Sequence, residues 1–206
     1  MGRRLLLVEG KSDEHVMYAL CKRHGVPEKF RIKPAESVEG LLDLLQIEPR
    51  ASDMERLAAI VDADQDVGAR WAAARARLLR AGYRDVPAAP APGGTFLVDA
   101  EARLPNLGLW LMPDNRLPGM LEDFLSFLVP RGDGCLPLVD DFLASIPSES
   151  RRFAEIQHAK ARIHAWLAVQ EEPGKPLGQA ITARYLDTET IAASEFLAWL
   201  RKALVE

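Results

Sequence analysis

Short apolar runs alternate with amphipathic segments through the first 128 residues of the chain. The runs at 5–8, 57–61 and 107–112 are almost wholly apolar, which is typical of parallel strands buried on both faces. Shorter runs at 30–32 and 95–98 predict two further strands. This alternation favours a sheet whose strands are joined by helical crossovers.

The segments between and after these runs carry apolar residues at the spacing of helices. Ser12 or Asp13 can cap the first helix, which ends at Gly25. Further helices are predicted over residues 40–47, 68–81, 117–128, 138–146, 151–170 and 195–205. The order predicts an α/β domain at 1–128, with a parallel-centred sheet and helices on both faces. Residues 129–206 are predicted to form a helical extension that packs on it as a C-terminal cap.

The 206 residues have the composition of an ordinary globular protein, with 48% hydrophobic and 27% charged residues. Two cysteines are too few for a disulfide framework, so a reduced, cytoplasmic setting is expected. No apolar stretch approaches the ~20 residues of a membrane span, so no membrane association is expected. A net charge of −4 argues against non-specific attraction to nucleic acid through a basic field.

Acidic residues follow the predicted strands at their carboxyl ends, where open α/β sheets bind ligands. Glu9 ends the first strand, and Asp62, Asp64 and Asp66 follow the third. Alternate side chains of an extended run point the same way, so the three aspartates are expected to face one cation. Hard carboxylate oxygens suit Mg²⁺, with Mn²⁺ as a second candidate. The alternative is that Asp66 only caps the helix that follows it.

Several other polar residues are candidates with an ordinary structural alternative. Lys11 can bind a phosphate as a point charge or be solvated, and Asp114 and Asn115 can reach substrate or form a turn. Lys160 and His164 are four residues apart on one helix face, where they can line a substrate pocket. Four arginines after the aspartates can follow a nucleic-acid backbone or form a solvated face: Arg70, Arg75, Arg77 and Arg80.

Two of these segments resemble the motifs of the Toprim family. Residues 5–13, Leu-Leu-Leu-Val-Glu-Gly-Lys-Ser-Asp, are similar to its first motif, a strand ending in Glu-Gly. Residues 60–66, Ile-Val-Asp-Ala-Asp-Gln-Asp, are similar to its second, a strand ending in Asp-x-Asp. The resemblance covers about residues 3–128 and implies a Toprim-like α/β fold. The wider sequence resembles small prokaryotic Toprim-like proteins related to overcoming-lysogenization-defect nucleases.

The resemblance also implies roles for the acidic residues. Glu9 is expected to be a general acid/base or a metal ligand, and Asp62 and Asp64 are expected to hold Mg²⁺. Asp66 matches a third acid of the topoisomerase pattern. The nuclease branch uses further acids for a second metal, and the candidates here are Asp13, Glu122 and Asp123.

These observations predict a Mg²⁺-dependent Toprim phosphodiesterase, a nuclease acting on DNA or RNA. One alternative is a small RNA-processing Toprim enzyme, which would begin with the same Val-Glu-Gly-Lys-x-Asp pattern. The other is a non-catalytic Toprim module that binds metal or nucleotide and acts through a protein partner. A basic groove past Glu9 and Asp64 would favour the enzyme, and an exposed apolar patch on the C-terminal helices would favour the partner module.

Overall fold

A computed structural model describes residues 2–99, 101 and 103–206. The strands are β1 (Arg3–Val8), β2 (Arg31–Pro34), β3 (Met54–Asp62), β4 (Thr95–Leu97) and β5 (Asn106–Met112). The helices are α1 (Lys11–Arg23), α2 (Val38–Ile47), α3 (Val67–Ala81), α4 (Leu121–Ser126), α5 (Cys135–Ser145), α6 (His158–Leu167), α7 (Leu177–Thr182) and α8 (Ile191–Leu204). Short 3-10 turns span Glu48–Arg50 and Glu155–Gln157. Of the helices in these ranges, none combines the length and apolar character that crossing a membrane requires.

The five strands form one sheet in the order β2-β1-β3-β5-β4. All neighbouring pairs are parallel except β4 with β5, which is antiparallel. The predicted α/β class with a parallel-centred sheet is therefore confirmed. The order places the carboxyl ends of β1 and β3 side by side at the middle of one sheet edge.

Helices cover both faces of the sheet because successive strand residues point to opposite sides. Leu5 and Leu7 pack with α2 and α3, whereas Leu6 and Val8 pack with α1 and the C-terminal helices. Trp110 of β5 contacts Phe196 of α8, with ring centroids 5.3 Å apart in an edge-to-face arrangement. The core on that face therefore contains side chains from both predicted units, residues 1–128 and residues 129–206.

The boundaries of several C-terminal helices differ from the predicted ones. The helix predicted over 151–170 is confined to α6, which follows the short 3-10 turn, and the six-residue α7 was not predicted. Helix α8 begins at Ile191 instead of residue 195, because the Thr190 hydroxyl caps it by accepting from the N–H of Ala193 at 3.3 Å. These helices form mainly through packing, which local spacing alone does not reveal.

Gly108 of β5 marks the closest approach of α8 to the sheet. A Cβ atom at this position would lie 2.7 Å from the Cβ of Ala203. We therefore expect Gly108→Ala to lower the free energy of unfolding by about 1–3 kcal/mol through overpacking. Urea unfolding of both proteins measures this. Gly93→Ala is the matched control, because a Cβ there meets nothing within 4 Å; equal losses in both variants would contradict the prediction.

Candidate functional site

A cavity of about 340 Å³ opens at the carboxyl ends of β1 and β3. Its walls come from the turns after both strands, the start of α1, the loop before α2, and helices α4 and α6. The lining residues are Glu9, Gly10, Lys11, Ser12, Asp13, Glu36, Ser37, Asp62, Met120, Leu121, Glu122 and Lys160. Predicted acids from three separate segments thus meet in one cavity.

Glu9 and Asp62 both line this cavity and are joined by a hydrogen bond. The backbone N–H of Asp62 donates to Glu9 Oε1 at 2.8 Å, and the N–H of Leu121 donates to Asp62 Oδ1 at 3.0 Å. Each bond engages one carboxyl oxygen and leaves the second oxygen of each group available to a ligand. The parallel register of β1 and β3 produces this contact, since both strands end at the same sheet edge.

Asp13 and Glu122 form the second part of the acidic cluster, and both are buried. The prediction that Ser12 or Asp13 caps α1 is wrong, because Gly10 is the N-cap residue. Asp13 lies one turn into the helix, where its Oδ2 accepts from the N–H of Gly10 at 3.1 Å. Glu122 Oε1 lies 4.0 Å from Nζ of Lys160, which α6 brings to the cavity.

Burial and mutual repulsion make the carboxyl groups of Glu9, Asp13 and Asp62 hard to ionise. Burial raises the pKa of Glu9 to about 7, although the bond from the Asp62 N–H opposes the shift. Burial likewise raises the pKa of Asp13 to about 6, with repulsion from Glu122 in the same direction. The pKa of Asp62 is raised well above its ordinary range by burial and then by repulsion from Glu9. Near neutral pH these three carboxyl groups therefore resist full ionisation unless a counter-charge is supplied.

Asp64 takes a different partner from Asp62. Strand β3 ends at Asp62, and Asp64 has a left-handed backbone with φ of 53°, so the prediction of an extended run is wrong here. Its N–H donates to the carbonyl of Gly119 at 2.8 Å. Its carboxylate accepts a hydrogen bond from the guanidinium of Arg70. The carboxylate is therefore held by α3, and Asp64 is not among the residues that line the cavity.

The remaining predicted residues have local structural contacts. Asp66 Oδ1 accepts from the N–H of Ala69 at 2.9 Å, so it caps α3, the alternative that the sequence left open. Asp123 accepts from the N–H of Met120, and Asp114 accepts from two N–H groups of its own turn. Asn115 is buried and binds the N–H of Leu111, whereas His164 is exposed on α6; neither lines the cavity.

Two lining residues, Glu36 and Ser37, were not predicted. They follow β2, so the rule that polar residues gather after parallel strands would have included them. The Ser37 hydroxyl caps α2 by accepting from the N–H of Gly40 at 3.0 Å. Lys11 lines the same wall and bonds Glu14 at 2.8 Å, and 66% of its side chain is exposed.

The arginines of α3 are mostly engaged within the protein. Arg70 binds Asp64, Arg77 pairs with Asp43 at 3.1 Å, and Arg75 donates to the carbonyls of Val86 and Pro87 at 3.1 Å. These contacts agree with a structural role for the helix more than with a track for a nucleic-acid backbone. The cations that line the cavity are Lys11 and Lys160.

Sequence comparison places the chain in a family. The profile described as "Protein of unknown function (DUF3226)" matches residues 3–205, which is nearly the whole chain. The protein belongs to this family. Neither the curated proteins nor the solved structures contain a significant match. The match includes α6 and α8 as well as the sheet, so the DUF3226 unit contains every element that forms the cavity.

The donor chemistry of the cavity fits a hard divalent cation, since it consists of carboxylate oxygens with partly uncompensated charge. Within the described ranges, however, no three His, Cys, Asp or Glu side chains are already arranged to hold a metal ion. Glu9, Asp13 and Asp62 each accept a hydrogen bond from a backbone N–H group instead. A cation would have to draw their second oxygens together.

Proposed function

We propose that this protein is a Toprim-like phosphodiesterase that requires Mg²⁺ or Mn²⁺ and acts as a nuclease on DNA or RNA. The observation that carries the proposal is the contact between Glu9 and Asp62. Adjacent parallel strands deliver both residues to an open cavity that Asp13 and Glu122 also line. Glu9 and Asp62 also carry the resemblance to the two Toprim motifs.

In this proposal the acidic residues bind the cation and transfer the proton. Asp62, Asp13 and Glu122 would hold the cation, and Asp64 belongs to the same ligand set in the Toprim pattern. When bound, the cation would supply a water of lowered pKa and would offset the charge on a leaving phosphodiester oxygen. Glu9 uses its second oxygen, Oε2, to take a proton from the attacking water or to give one to the leaving oxygen.

A cleavage panel tests the proposal directly. Single-stranded, duplex and supercoiled DNA and single-stranded and structured RNA are incubated with the purified protein and Mg²⁺ or Mn²⁺. We expect cleavage of at least one substrate that stops when the metal is chelated. Preference for structured RNA alone would favour the RNA-processing alternative, whereas an inert protein under all conditions would contradict a phosphodiesterase.

Lys160 is expected to contribute to substrate binding as the cation that α6 brings to the cavity. Lys160→Gln should raise KM by about fivefold while kcat changes little, because a single exposed ion pair contributes up to ~1 kcal/mol. The salt dependence of binding should also fall by about one counterion. Steady-state kinetics over a salt series measures both effects.

Lys29→Gln is the matched control for Lys160→Gln. Lys29 is exposed just before β2 and therefore lies at the opposite edge of the sheet. Both substitutions remove one exposed positive charge. An equal rise of KM in both variants would show that Lys160 acts through net charge alone.

A second candidate function is the non-catalytic module that works with a protein partner. It is favoured by an apolar groove of about 360 Å³ between α5 and α6. Leu138, Phe142 and Val169 line it, with exposed fractions of 67%, 58% and 57%. Contiguous exposed apolar surface of this kind is common at protein contacts. Tight metal binding by a protein that cleaves nothing in the panel would support this function over the nuclease.

A further inference from the structure

Arg70 and Asp64 form an ion pair with one hydrogen bond, which Arg70 Nη2 donates to Asp64 Oδ2. The Nε–H of Arg70 is buried and, among the described residues, has no acceptor. Arg162 and Asp140 show the contrasting arrangement, with two parallel bonds of 2.5 and 2.8 Å. Unlike the two-bond fork, the Arg70 pair therefore leaves one buried donor unsatisfied.

The pair lies within electrostatic range of the cavity. Arg70 favours the ionised form of Glu9, and Asp64 opposes it. The side chains of Arg70 and Asp64 are 16% and 33% exposed, so water screens their attraction only in part. Asp64 is held at its backbone by Gly119, so its carboxylate can change partners without movement of the chain.

We infer that Arg70 is a positioning residue that competes with the divalent cation for Asp64, so that metal binding requires Asp64 to leave the guanidinium. The inference rests on the proposed function, because it describes how the same site is filled. Under this inference the second aspartate of the Asp-x-Asp motif is shared between Arg70 and the cation. The released guanidinium then has free N–H donors beside the site, which suit an anionic phosphate oxygen.

Calorimetric titration with Mn²⁺ alone tests the inference without an activity assay. Arg70→Gln should tighten Mn²⁺ binding by about fivefold, the equivalent of a partly exposed ion pair. Arg77→Gln is the matched control, since it removes the same charge from the same helix and releases Asp43 instead. We expect its Kd to stay within about twofold of the wild type. An unchanged or weaker Kd for Arg70→Gln would overturn the inference.

A double-mutant cycle separates release of Asp64 from simple removal of a nearby charge. In the Asp64→Asn background, the gain from Arg70→Gln should fall to less than about twofold. A gain that persists in full would overturn the inference, because Arg70 would then act as a distant charge. If Arg70→Gln does not fold, Arg70→Lys replaces it, with a gain of about twofold expected and an equal Kd contradicting the competition.

The same titrations separate failure of the inference from failure of the proposed function. Mn²⁺ binding by the wild type with no difference in Arg70→Gln overturns the competition and leaves the metal site intact. Absence of binding in both proteins overturns the metal site and the competition together. Binding by Arg70→Gln but not by the wild type supports both, with a stronger competition than expected.

Discussion

Glu9→Gln is expected to lower the rate of metal-dependent phosphodiester cleavage by about 10²- to 10⁴-fold, the usual contribution of a general acid/base. The physical reason is that an amide cannot exchange a proton with the attacking water or the leaving oxygen. The amide oxygen can still accept the 2.8 Å hydrogen bond from the Asp62 N–H, so the end of β1 should keep its geometry. Single-turnover cleavage at saturating Mn²⁺ measures the loss.

Glu39→Gln is the matched control for this experiment. Glu39 is an exposed residue in the first turn of α2 and does not line the cavity, so the same chemical change should leave the rate unaltered. Thermal unfolding of both variants shows whether the fold is retained. Full activity of a folded Glu9→Gln protein would show that Glu9 is not the general acid/base, whether or not the cavity binds a metal.

Asp62→Asn is expected to stabilise the metal-free protein by about 2 kcal/mol at about pH 7.5, within the ~1–3 kcal/mol that an uncompensated buried polar group costs. The substitution removes a carboxyl group whose pKa burial raises well above its ordinary range, and it relieves repulsion on Glu9. The asparagine oxygen can still accept from the N–H of Leu121. For a domain of this size the midpoint of thermal unfolding should rise by about 4–8 °C.

The pH dependence has a definite sign. The folded pKa values of Glu9 and Asp13 are raised to about 7 and about 6, whereas the unfolded values are ~4. Between these values the folded protein binds more protons than the unfolded chain, so its free energy of unfolding falls as pH rises from ~4 to ~7. Asp62→Asn should flatten this fall, and the two proteins should converge below about pH 4.

Asp141→Asn is the control for the stability series, because Asp141 is exposed on α5 and does not line the cavity. It should melt like the wild type at every pH. Mg²⁺ at a hundredfold excess over Kd should stabilise the wild type by about 2.7 kcal/mol and Asp62→Asn much less. If Asp62→Asn melts at a lower temperature than the wild type without metal, the charge of Asp62 stabilises the fold and the prediction is wrong.

The sequence was sufficient to predict the sheet and the edge at which its acids gather. Continuous apolar runs identified the buried strands, and the parallel arrangement then required Glu9 and Asp62 to end at one edge. The same logic, applied to β2, would have added Glu36 and Ser37. What local spacing could not predict was the partner of each carboxylate, because that depends on the conformation of one or two turn residues.

Asp64 illustrates this limit. An Asp-x-Asp run predicts side chains on one side of an extended strand, but β3 ends at Asp62 and the left-handed conformation of Asp64 turns its carboxylate to Arg70. Lys160 was identified by its helical spacing to His164, yet only Lys160 lines the cavity. The position of α6 over the sheet decides between them, and that position arises from tertiary packing.

Arg4 connects the first strand to the last helix, and this connection constrains how the protein is made. Its guanidinium donates to the carbonyls of Leu204 and Val205 at 2.9 and 3.1 Å. Leu204 lies 200 residues further along the chain. A ribosome adds ~5–20 residues per second, so β1 waits about 10–40 s for α8 to be synthesised. From the synthesis of β5 until that of α8, the sheet face that α8 covers, which includes Trp110, is open to chaperones and to other nascent chains.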